Sequence, residues 1–459
     1  MKRTLFLIVF LAIVVPVGWV LFCKYEGDLP QADISLPSRY LKQSYEINMT
    51  ARDKGAGLRH VTVSIVQKDN EKVLLDKSYP PASILSLFSD NAIVSDTFVI
   101  PVETHKYGMS DGQAVIRIVV TDYAWRKWAK GNRFYEERPV IIDTVPPRFQ
   151  VLTSQHNVSK GGVGLVIYKL DEENVQSGVR VGDNFFPGYS GVFNDPMVIT
   201  ALFALSHTQG PDTRILVEAR DPAGNETKRG FYHYIKDKTF RSDTLNISDG
   251  FLEFKMPDFD LGPMEAQFLT EQNPLLAKFL YINETLRRQN VETVLKVPSD
   301  TRAELMWKDR FNRLSGAANR AQFADKRTYK YNGKVVSHST HLGIDLASTS
   351  NAPVGATNNG RIIMAENVGI FGNTVIIDHG LGLASLYAHL SQMSVAKGDM
   401  VKKDDIIGRT GLTGLAGGDH LHFSMMLHNV FINPVEWWDP VWITNNITSK
   451  IESVKAQIQ

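Results

Sequence analysis

The chain has little cysteine and almost no net charge. Cys23 is the only cysteine in 459 residues, which rules out an internal disulfide and a cysteine-rich zinc site. Any bound metal must therefore be held by histidine, aspartate or glutamate. Fifty basic and 49 acidic side chains leave a formal net charge of +1. This balance gives no overall signal for nucleic acid, and we expect no nucleic-acid partner.

One long apolar run without charge stands near the N-terminus. Lys2 and Arg3 precede residues 4–22, in which no side chain is charged, and about 18 such residues can cross a bilayer. The alternative is a cleaved signal peptide, but the small-x-small site that ends such a peptide is missing after Val20. We therefore predict that residues 1–29 form an N-terminal transmembrane helix and a short linker. By the positive-inside rule, residues 24–459 would then lie beyond the membrane.

Residues 30–147 and 148–236 have the pattern of two β-sandwich domains. Runs such as RHVTVSIV and QAVIRIVVTD in the first range, and RILVEAR in the second, lie between Gly, Asp and Pro turns. The second range weakly repeats the first, and DTVPPRF at residues 143–149 predicts the boundary. Both ranges resemble bacterial immunoglobulin-like extracellular modules. A single larger β domain is the alternative.

The remaining sequence predicts a change from helix back to strand. Residues 237–304 carry apolar side chains at helical spacing and are interpreted as a helical linker. Residues 305–440 contain short strand-like runs separated by Gly-rich turns, and residues 441–459 form a polar C-terminal tail. The predicted fold class is therefore mainly β.

The segment STHLGIDLAS contains two candidate metal ligands, His341 and Asp345, with Gly343 between them. On a regular strand, residues four positions apart are about 13 Å apart. That separation is too large for one metal ion, whose ligand bonds are about 2 Å long. A bend at Gly343 would bring the two side chains together.

The segment GLAGGDHLHFSM adds His420 and His422. Residues i and i+2 of a strand face the same side, so both imidazoles should share one face. With His422 as a third ligand, a His, Asp, His set would leave a fourth position open, the pattern of a catalytic zinc site. The segment SLYAHL contains His389. His389 and His420 are candidates for a general base and an oxyanion donor. For an isolated H-x-H, two half-buried structural histidines would be the better interpretation.

The motifs HLGID, YAHL and HLH, in this order and with NAPVGATNNGRI and VKKDDIIGRTGLTG between them, resemble the M23 peptidase family. This family is also called LytM or lysostaphin-type zinc endopeptidases, and the resemblance covers about residues 305–440. It implies a compact, mostly antiparallel β domain with the site in a groove across the sheet. It also implies one Zn²⁺ per chain held by His341, Asp345 and His422, with His389 and His420 as catalytic residues.

Other polar residues near these motifs receive simpler interpretations. We expect His338 to lie at the rim of the site and His379 to have a structural role. The segment with Arg327, Tyr329 and Tyr331 is expected to line the substrate groove.

The resemblance implies a membrane-anchored zinc endopeptidase that hydrolyses peptide bonds in peptidoglycan stem peptides or cross-links. We expect a single-pass protein of the cell inner membrane with its catalytic domain in the periplasm, and cell-wall protein partners for the β-sandwich domains. The alternative is a non-catalytic LytM-type activator or scaffold of other cell-wall hydrolases. A further hypothesis, from chain order alone, is that the helices before the catalytic domain occlude it.

Overall fold

The computed structural model describes residues 2–25, 27–81, 92–126 and 130–458. Residues 82–91 and 127–129 of the predicted first sandwich thus lie outside the described residues. The chain divides into two compact units. The first contains the described residues up to Pro146 together with Arg220–Glu226, and the second contains Pro147–Ala219 together with the described residues from Thr227 onward.

The first unit begins with helix α1, Lys2–Lys24. Within the part of the chain that the structure describes, none of the helices has the length and apolar character needed to span a membrane. The predicted transmembrane helix is therefore unsupported.

Two sheets follow α1 in the first unit. Their strands are β1 Gln31–Ser35, β2 Tyr40–Leu41, β3 Ser44–Arg52, β4 Leu58–Gln67, β5 Asn70–Ser78, β6 Ser95–Glu103, β7 Gly112–Asp122 and β8 Arg133–Ile142. One sheet has the order β1-β3-β6 and the other the order β2-β8-β7-β4-β5. Side chains alternate between buried and exposed along β1 and β3 because successive residues face opposite sides. Inward residues of both sheets, such as Ile47, Val63 and Ile118, share one apolar core.

The second unit begins with three further β-sheets. Their strands are β9 Phe149–Val151, β10 His156–Ser159, β11 Val163–Leu170, β12 Gln176–Val181, β13 Asn184–Pro187, β14 Val198–Ala204, β15 Ile215–Arg220, β16 Glu226–Gly230 and β17 His233–Lys236. The sheet orders are β14-β11-β9, β13-β12-β15-β16 and a parallel pair β10-β17. Val166, Val179 and Phe203 belong to one core that continues into the rest of this unit.

A strand and several helices connect these sheets to the C-terminal β region. They are β18 Ser242–Ile247, α2 Asp249–Lys255, α3 Glu265–Phe268, α4 Pro274–Tyr281 and α5 Arg287–Lys296. Ser248 and Asn273 cap α2 and α4 by accepting backbone N–H groups. A π-helical turn at Ile282–Leu286 joins α4 to α5. The sequence analysis did not predict β18, which pairs in parallel with a strand of the C-terminal β region.

The C-terminal β region is built on one antiparallel sheet. Its strands are β19 Ala318–Ala321, β20 Lys326–Tyr331, β21 Lys334–Thr340, β22 Ile344–Ala347, β23 Pro353–Gly355, β24 Gly360–Asn367, β25 Asn373–Asp378, β26 Leu383–Leu390, β27 Gln392–Met393, β28 Met400–Val401, β29 Ile406–Arg409, β30 Leu421–Leu427 and β31 Val430–Ile432. The main sheet has the order β19-β22-β30-β26-β25-β24-β28, with β31 on β30. Smaller sheets have the orders β18-β20-β21 and β23-β29-β27.

Helices form the C-terminal end of the second unit. They are α6 Pro434–Trp438, α7 Pro440–Ile443 and α8 Ser449–Ile458. The predicted polar tail is thus largely helical in the structure, and its apolar residues Ile451 and Val454 are buried. Trp437 of α6 is fully buried against Trp307 and Phe311 beneath the main sheet.

His379 lies in the same buried cluster and makes stability depend on pH. Its Nδ1 and Nε2 are each 2.7 Å from an oxygen, those of the Asn359 carbonyl and the Ser385 hydroxyl. Burial lowers its pKa from 6.5 to about 4. The unfolded chain therefore binds this proton at a higher pH than the folded chain, so the stabilising contribution is complete above about pH 6.5 and is lost as pH falls to about 4.

We expect the free energy of unfolding of the wild type to fall by about 3 kcal/mol more than that of His379→Gln between pH 6.5 and 4. Chemical unfolding of the full chain at several pH values measures this difference. Comparing the two proteins cancels the titration of the other groups. Parallel pH profiles would contradict the expectation.

Candidate metal centre and active site

Strand register brings two of the candidate ligands together. Asp345 of β22 lies directly opposite His422 of β30 in the antiparallel ladder, where cross-strand side chains are neighbours. His422 Nδ1 is 2.9 Å from Asp345 Oδ1. His341 follows the end of β21, and its Nε2 is 2.8 Å from the same Asp345 oxygen and 2.9 Å from His422 Nδ1. The structure therefore groups His341, Asp345 and His422 around one point.

Gly343 allows the chain to bend between the first two of these residues. A Cβ atom at this position would lie 2.5 Å from Ser424 Oγ and 2.6 Å from His422 Nε2. Both distances are shorter than van der Waals contact. The position needs glycine because the His422 side chain approaches the backbone closely, and no left-handed backbone angle is involved.

The outer nitrogens of both imidazoles are fixed by hydrogen bonds. His341 Nδ1 donates to the Gln322 carbonyl oxygen at 2.9 Å. Ser424 Oγ donates to the Leu342 carbonyl oxygen at 2.9 Å, so it accepts from His422 Nε2, also at 2.9 Å. A neutral imidazole carries one proton, and here both protons point outward. The inner nitrogens therefore present lone pairs to the Asp345 carboxylate and to each other.

This donor set fits a divalent metal ion. Two imidazole lone pairs and a carboxylate oxygen converge with no proton between them, an arrangement that a cation would stabilise. Two histidines and one carboxylate are a common Zn²⁺ ligand set, and outward hydrogen bonds of this kind orient metal-bound histidines.

The second oxygen of Asp345 has its own partner. Arg327 of β20 donates from a guanidinium nitrogen to Asp345 Oδ2 at 3.0 Å, and both side chains are largely buried. The carboxylate therefore turns Oδ1 toward the histidines and Oδ2 toward Arg327. Sequence reasoning placed Arg327 only in the groove lining, since nothing in the local sequence shows a contact to a residue 18 positions away.

The two candidate catalytic histidines lie beside the metal group. His420 Nδ1 donates to the Gly418 carbonyl oxygen at 2.6 Å, and its Nε2 is 3.5 Å from Asp345 Oδ1. His389 Nδ1 donates to the Thr413 carbonyl oxygen at 2.8 Å, which leaves its Nε2 as an acceptor. The His389 ring centre is 4.9 Å from that of His420 and 5.7 Å from that of His422.

A β-bulge places His389 on the correct face. Ala388 is the register partner of His422, so His389 on a regular strand would face the opposite side of the sheet. The pairing of β25 with β26 is irregular at this point, and His389 has a left-handed φ of 62°. Bulges of this kind redirect side chains next to active sites.

The surroundings shift the pKa values of His389 and His420 in opposite directions. Burial lowers the pKa of His389 well below its usual value, and the charge of His420 lowers it further. Burial also opposes charge on His420, but the hydrogen bond and charge of Asp345 raise its pKa above the usual value. His389 thus favours the neutral form, which can accept a proton, and His420 favours the charged form, which can donate one.

Comparison with known proteins agrees with this geometry. Residues 339–434, which hold all five of these residues, match Peptidase family M23. The chain carries an M23 domain. DD-carboxypeptidase/endopeptidase Mpg of Neisseria meningitidis is 41% identical over 95 residues, which are 21% of this chain and 22% of that protein. Peptidoglycan DD-endopeptidase ShyB of Vibrio cholerae is 36% identical over 107 residues, which are 23% of this chain and 24% of that protein.

The two relatives match only part of this chain. The matched region spans less than a quarter of the length of either relative. The solved catalytic domain of the antimicrobial peptidase lysostaphin from Staphylococcus simulans is 27% identical and matches 28% of this chain and 98% of that chain, with a TM-score of 0.25.

The other residues predicted near the site lie just before the matched range, and the structure gives them different positions. His338 is exposed, its Nδ1 is 3.3 Å from Thr328 Oγ1, and it is not part of the metal group. Arg327 and Tyr329 line the cavity at the site. Tyr331 does not line this cavity, and its hydroxyl instead donates to Asp249 Oδ1 at 2.7 Å.

A cavity of about 300 Å³ lies at the five site residues of the M23 domain. Part of its wall comes from the preceding helical segment, namely Phe251 of α2, Phe279 of α4, and Arg287 and Val291 of α5. Arg287 is held there by a hydrogen bond from its guanidinium to Asn283 Oδ1 at 2.8 Å. Sequence periodicity identified an apolar helical stripe but gave no indication that it faces the site.

Gly343→Ala should weaken metal binding by the M23 domain. The added methyl group overlaps Ser424 Oγ, His422 Nε2 and the Phe423 carbonyl oxygen, so the His422 ring or the backbone beside it must shift. Disturbing the groups that orient metal ligands typically costs about 10- to 100-fold in affinity. Titration of the metal-depleted full chain with Zn²⁺ measures the effect, with Gly418→Ala as control because a Cβ there meets nothing within 4 Å. Unchanged affinity in Gly343→Ala would contradict the role assigned to this glycine.

Proposed function

We propose that the protein is a zinc-dependent endopeptidase that hydrolyses peptide bonds in peptidoglycan. The observation that carries this proposal is the convergence of three unprotonated ligand atoms beside two histidines of opposite protonation tendency. The names of two relatives, one a DD-carboxypeptidase/endopeptidase and one a peptidoglycan DD-endopeptidase, support the choice of substrate.

Each site residue has a defined task in this proposal. His341, Asp345 and His422 hold the metal, and Arg327 keeps the carboxylate oriented. Bound Zn²⁺ would polarise the peptide carbonyl and lower the pKa of a water molecule. His389 Nε2 accepts a proton because its Nδ1 is committed to the Thr413 carbonyl. His420 Nε2 donates a hydrogen bond to the oxygen on which negative charge develops.

The catalytic and ligand roles can be separated by substitution. We expect His389→Ala and His420→Ala each to lower the rate of peptidoglycan cleavage at least about 100-fold while binding one Zn²⁺ per chain. His341→Ala should lose both the metal and the activity. Incubation of the full chain with isolated peptidoglycan, followed by mass spectrometry of the released fragments, measures cleavage and identifies the bond. Metal content is measured in parallel.

His338→Ala is the matched control, because His338 is exposed and lies three residues before a predicted ligand. It should retain the metal and the activity. Absence of cleavage by a wild-type protein that binds Zn²⁺ would favour the alternative, a non-catalytic activator or scaffold of other cell-wall hydrolases.

We further propose that the helical segment limits access to the site. The cavity of about 300 Å³ is at the lower end of the range for pockets that hold drug-sized ligands, and a cross-linked peptide is larger than such a ligand. Hydrogen bonds from its side chains to backbone groups of the M23 domain help to hold the segment in place. Asn290 Oδ1 accepts the Ile370 N–H at 2.8 Å, and Lys255 Nζ donates to the Leu412 carbonyl at 2.8 Å.

Asn290→Ala should therefore increase the cleavage rate of cross-linked peptides. One hydrogen bond contributes roughly 1 kcal/mol, which corresponds to an increase of about fivefold if release of the segment limits the reaction. The control is Thr293→Ala on the same helix, since the exposed Thr293 hydroxyl bonds only within α5, to Gln289 O at 2.9 Å. If Asn290→Ala cleaves no faster than Thr293→Ala, the segment does not limit access.

We also propose that residues 24–459 face the periplasm from the cell inner membrane. Support comes from Lys2 and Arg3 before the uncharged residues 4–22 and from the position of peptidoglycan outside this membrane. Protease added to intact spheroplasts should digest the M23 domain, and its protection would contradict the proposal. The binding of cell-wall proteins by the β-sandwich domains stays a prediction.

A further inference from the structure

A second and larger cleft lies elsewhere in the second unit. It has a volume of about 760 Å³ and is bordered by β10, β17 and the C-terminal helices α7 and α8. None of the residues that line it belongs to the M23 site. The proposed peptidase function therefore gives this cleft no task.

The cleft contains a buried cation without a counter-ion. Lys450 of α8 lines the cleft and is only 9% exposed. Its ammonium group donates to the Leu165 carbonyl oxygen at 3.3 Å, and within the described residues no carboxylate forms an ion pair with it. A buried ammonium group is costly unless it is paired. Burial lowers the pKa of Lys450 to about 8, so the group still carries charge at pH 7.

The strand β17 presents a second set of groups to the same cleft. Tyr234 and Lys236 are two positions apart, so they share one face of this strand, and both line the cleft. Tyr234 is 60% exposed. Trp442 contributes a second aromatic ring. Aromatic rings offer flat apolar faces with a polar edge, which suit ligands that are partly apolar and partly polar.

Most of the remaining lining is neutral and polar, and Leu152, Val158 and Val454 add apolar surface. Amide and hydroxyl groups come from Ser154, Gln155, Asn157, Asn445, Asn446 and Ser449. Such groups both donate and accept hydrogen bonds, as the hydroxyl and acetamido groups of a sugar require. Among the described residues, no aspartate or glutamate lines the cleft. A ligand with free amino groups, such as a stem peptide, would find no carboxylate there.

We infer that this cleft binds a peptide-free glycan strand of N-acetylated amino sugars with free carboxylates. The sugar faces pack on Tyr234 and Trp442, the sugar polar groups bond to the amide and hydroxyl lining, and a carboxylate pairs with Lys450 and Lys236. The choice of this polymer rests on the proposed function, since peptidoglycan contains these glycan strands and an amidase that removes the stem peptides frees their carboxylates.

Equilibrium binding of the full chain to three probes tests this inference. The probes are peptide-free glycan strands prepared from peptidoglycan with an amidase, a tetramer of N-acetylglucosamine without carboxylates, and an isolated stem tetrapeptide. We expect the strands to bind at least about tenfold more tightly than the tetramer, and Lys450→Met to abolish this preference. Tyr234→Ala should weaken binding of both sugars about tenfold.

The matched control is Tyr232→Ala, because Tyr232 is 79% exposed just before β17 but does not line this cleft. Lys236→Gln on the surface repeats the charge test if the buried Lys450→Met fails to fold. Sugar binding that is unchanged in Tyr234→Ala and Lys236→Gln would overturn the inference, as would cleft-dependent binding of the stem tetrapeptide. The readout is binding, so it stands even if the chain cleaves no peptide. Tyr234→Ala should leave the cleavage of a soluble cross-linked peptide unchanged.

Discussion

The site depends on one oxygen atom, Asp345 Oδ1. Two imidazole nitrogens lie within 2.9 Å of it and a third lies 3.5 Å away. This arrangement requires the register of β22 against β30, because a shift by one residue would turn Asp345 to the other face of the sheet. The register of β22 against β30 therefore also determines whether His341, Asp345 and His422 come together.

The position of Asp345 also depends on residues and strands that lie farther from the site. Arg327 holds the second oxygen of Asp345 and lies on β20, which pairs in parallel with β18 just before the helical segment. Strand β18, which leads into the helical segment, is thus paired with β20, and Arg327 of β20 orients Asp345. A movement of the helical segment that disturbed β18 would also be felt at Asp345.

The sequence was sufficient to predict the ligand group but not its surroundings. The grouping of His341, Asp345 and His422 was predictable because short local motifs carry their residue types and spacing. The position of His389 required a bulge, which results from pairing between β25 and β26 and leaves no local signal in YAHL. The contact of Arg327 with Asp345 and the orientation of α5 depend on tertiary packing. Strand β18 was missed because its pairing partner lies about 80 residues away.

The C-terminal helices give the second unit an unexpected continuity. Glu436 of α6 accepts the backbone N–H of Val163 at 3.0 Å, and the Asn433 N–H donates to the Gly161 carbonyl at 2.8 Å. Both contacts join residues near the end of the M23 domain to residues about 270 positions earlier in the chain. A fragment cut at the predicted boundary of residue 305 would leave the half-buried Glu436 and an apolar surface without cover. The domain is therefore not a detachable module, and its exchange between proteins would require the neighbouring sheets to travel with it.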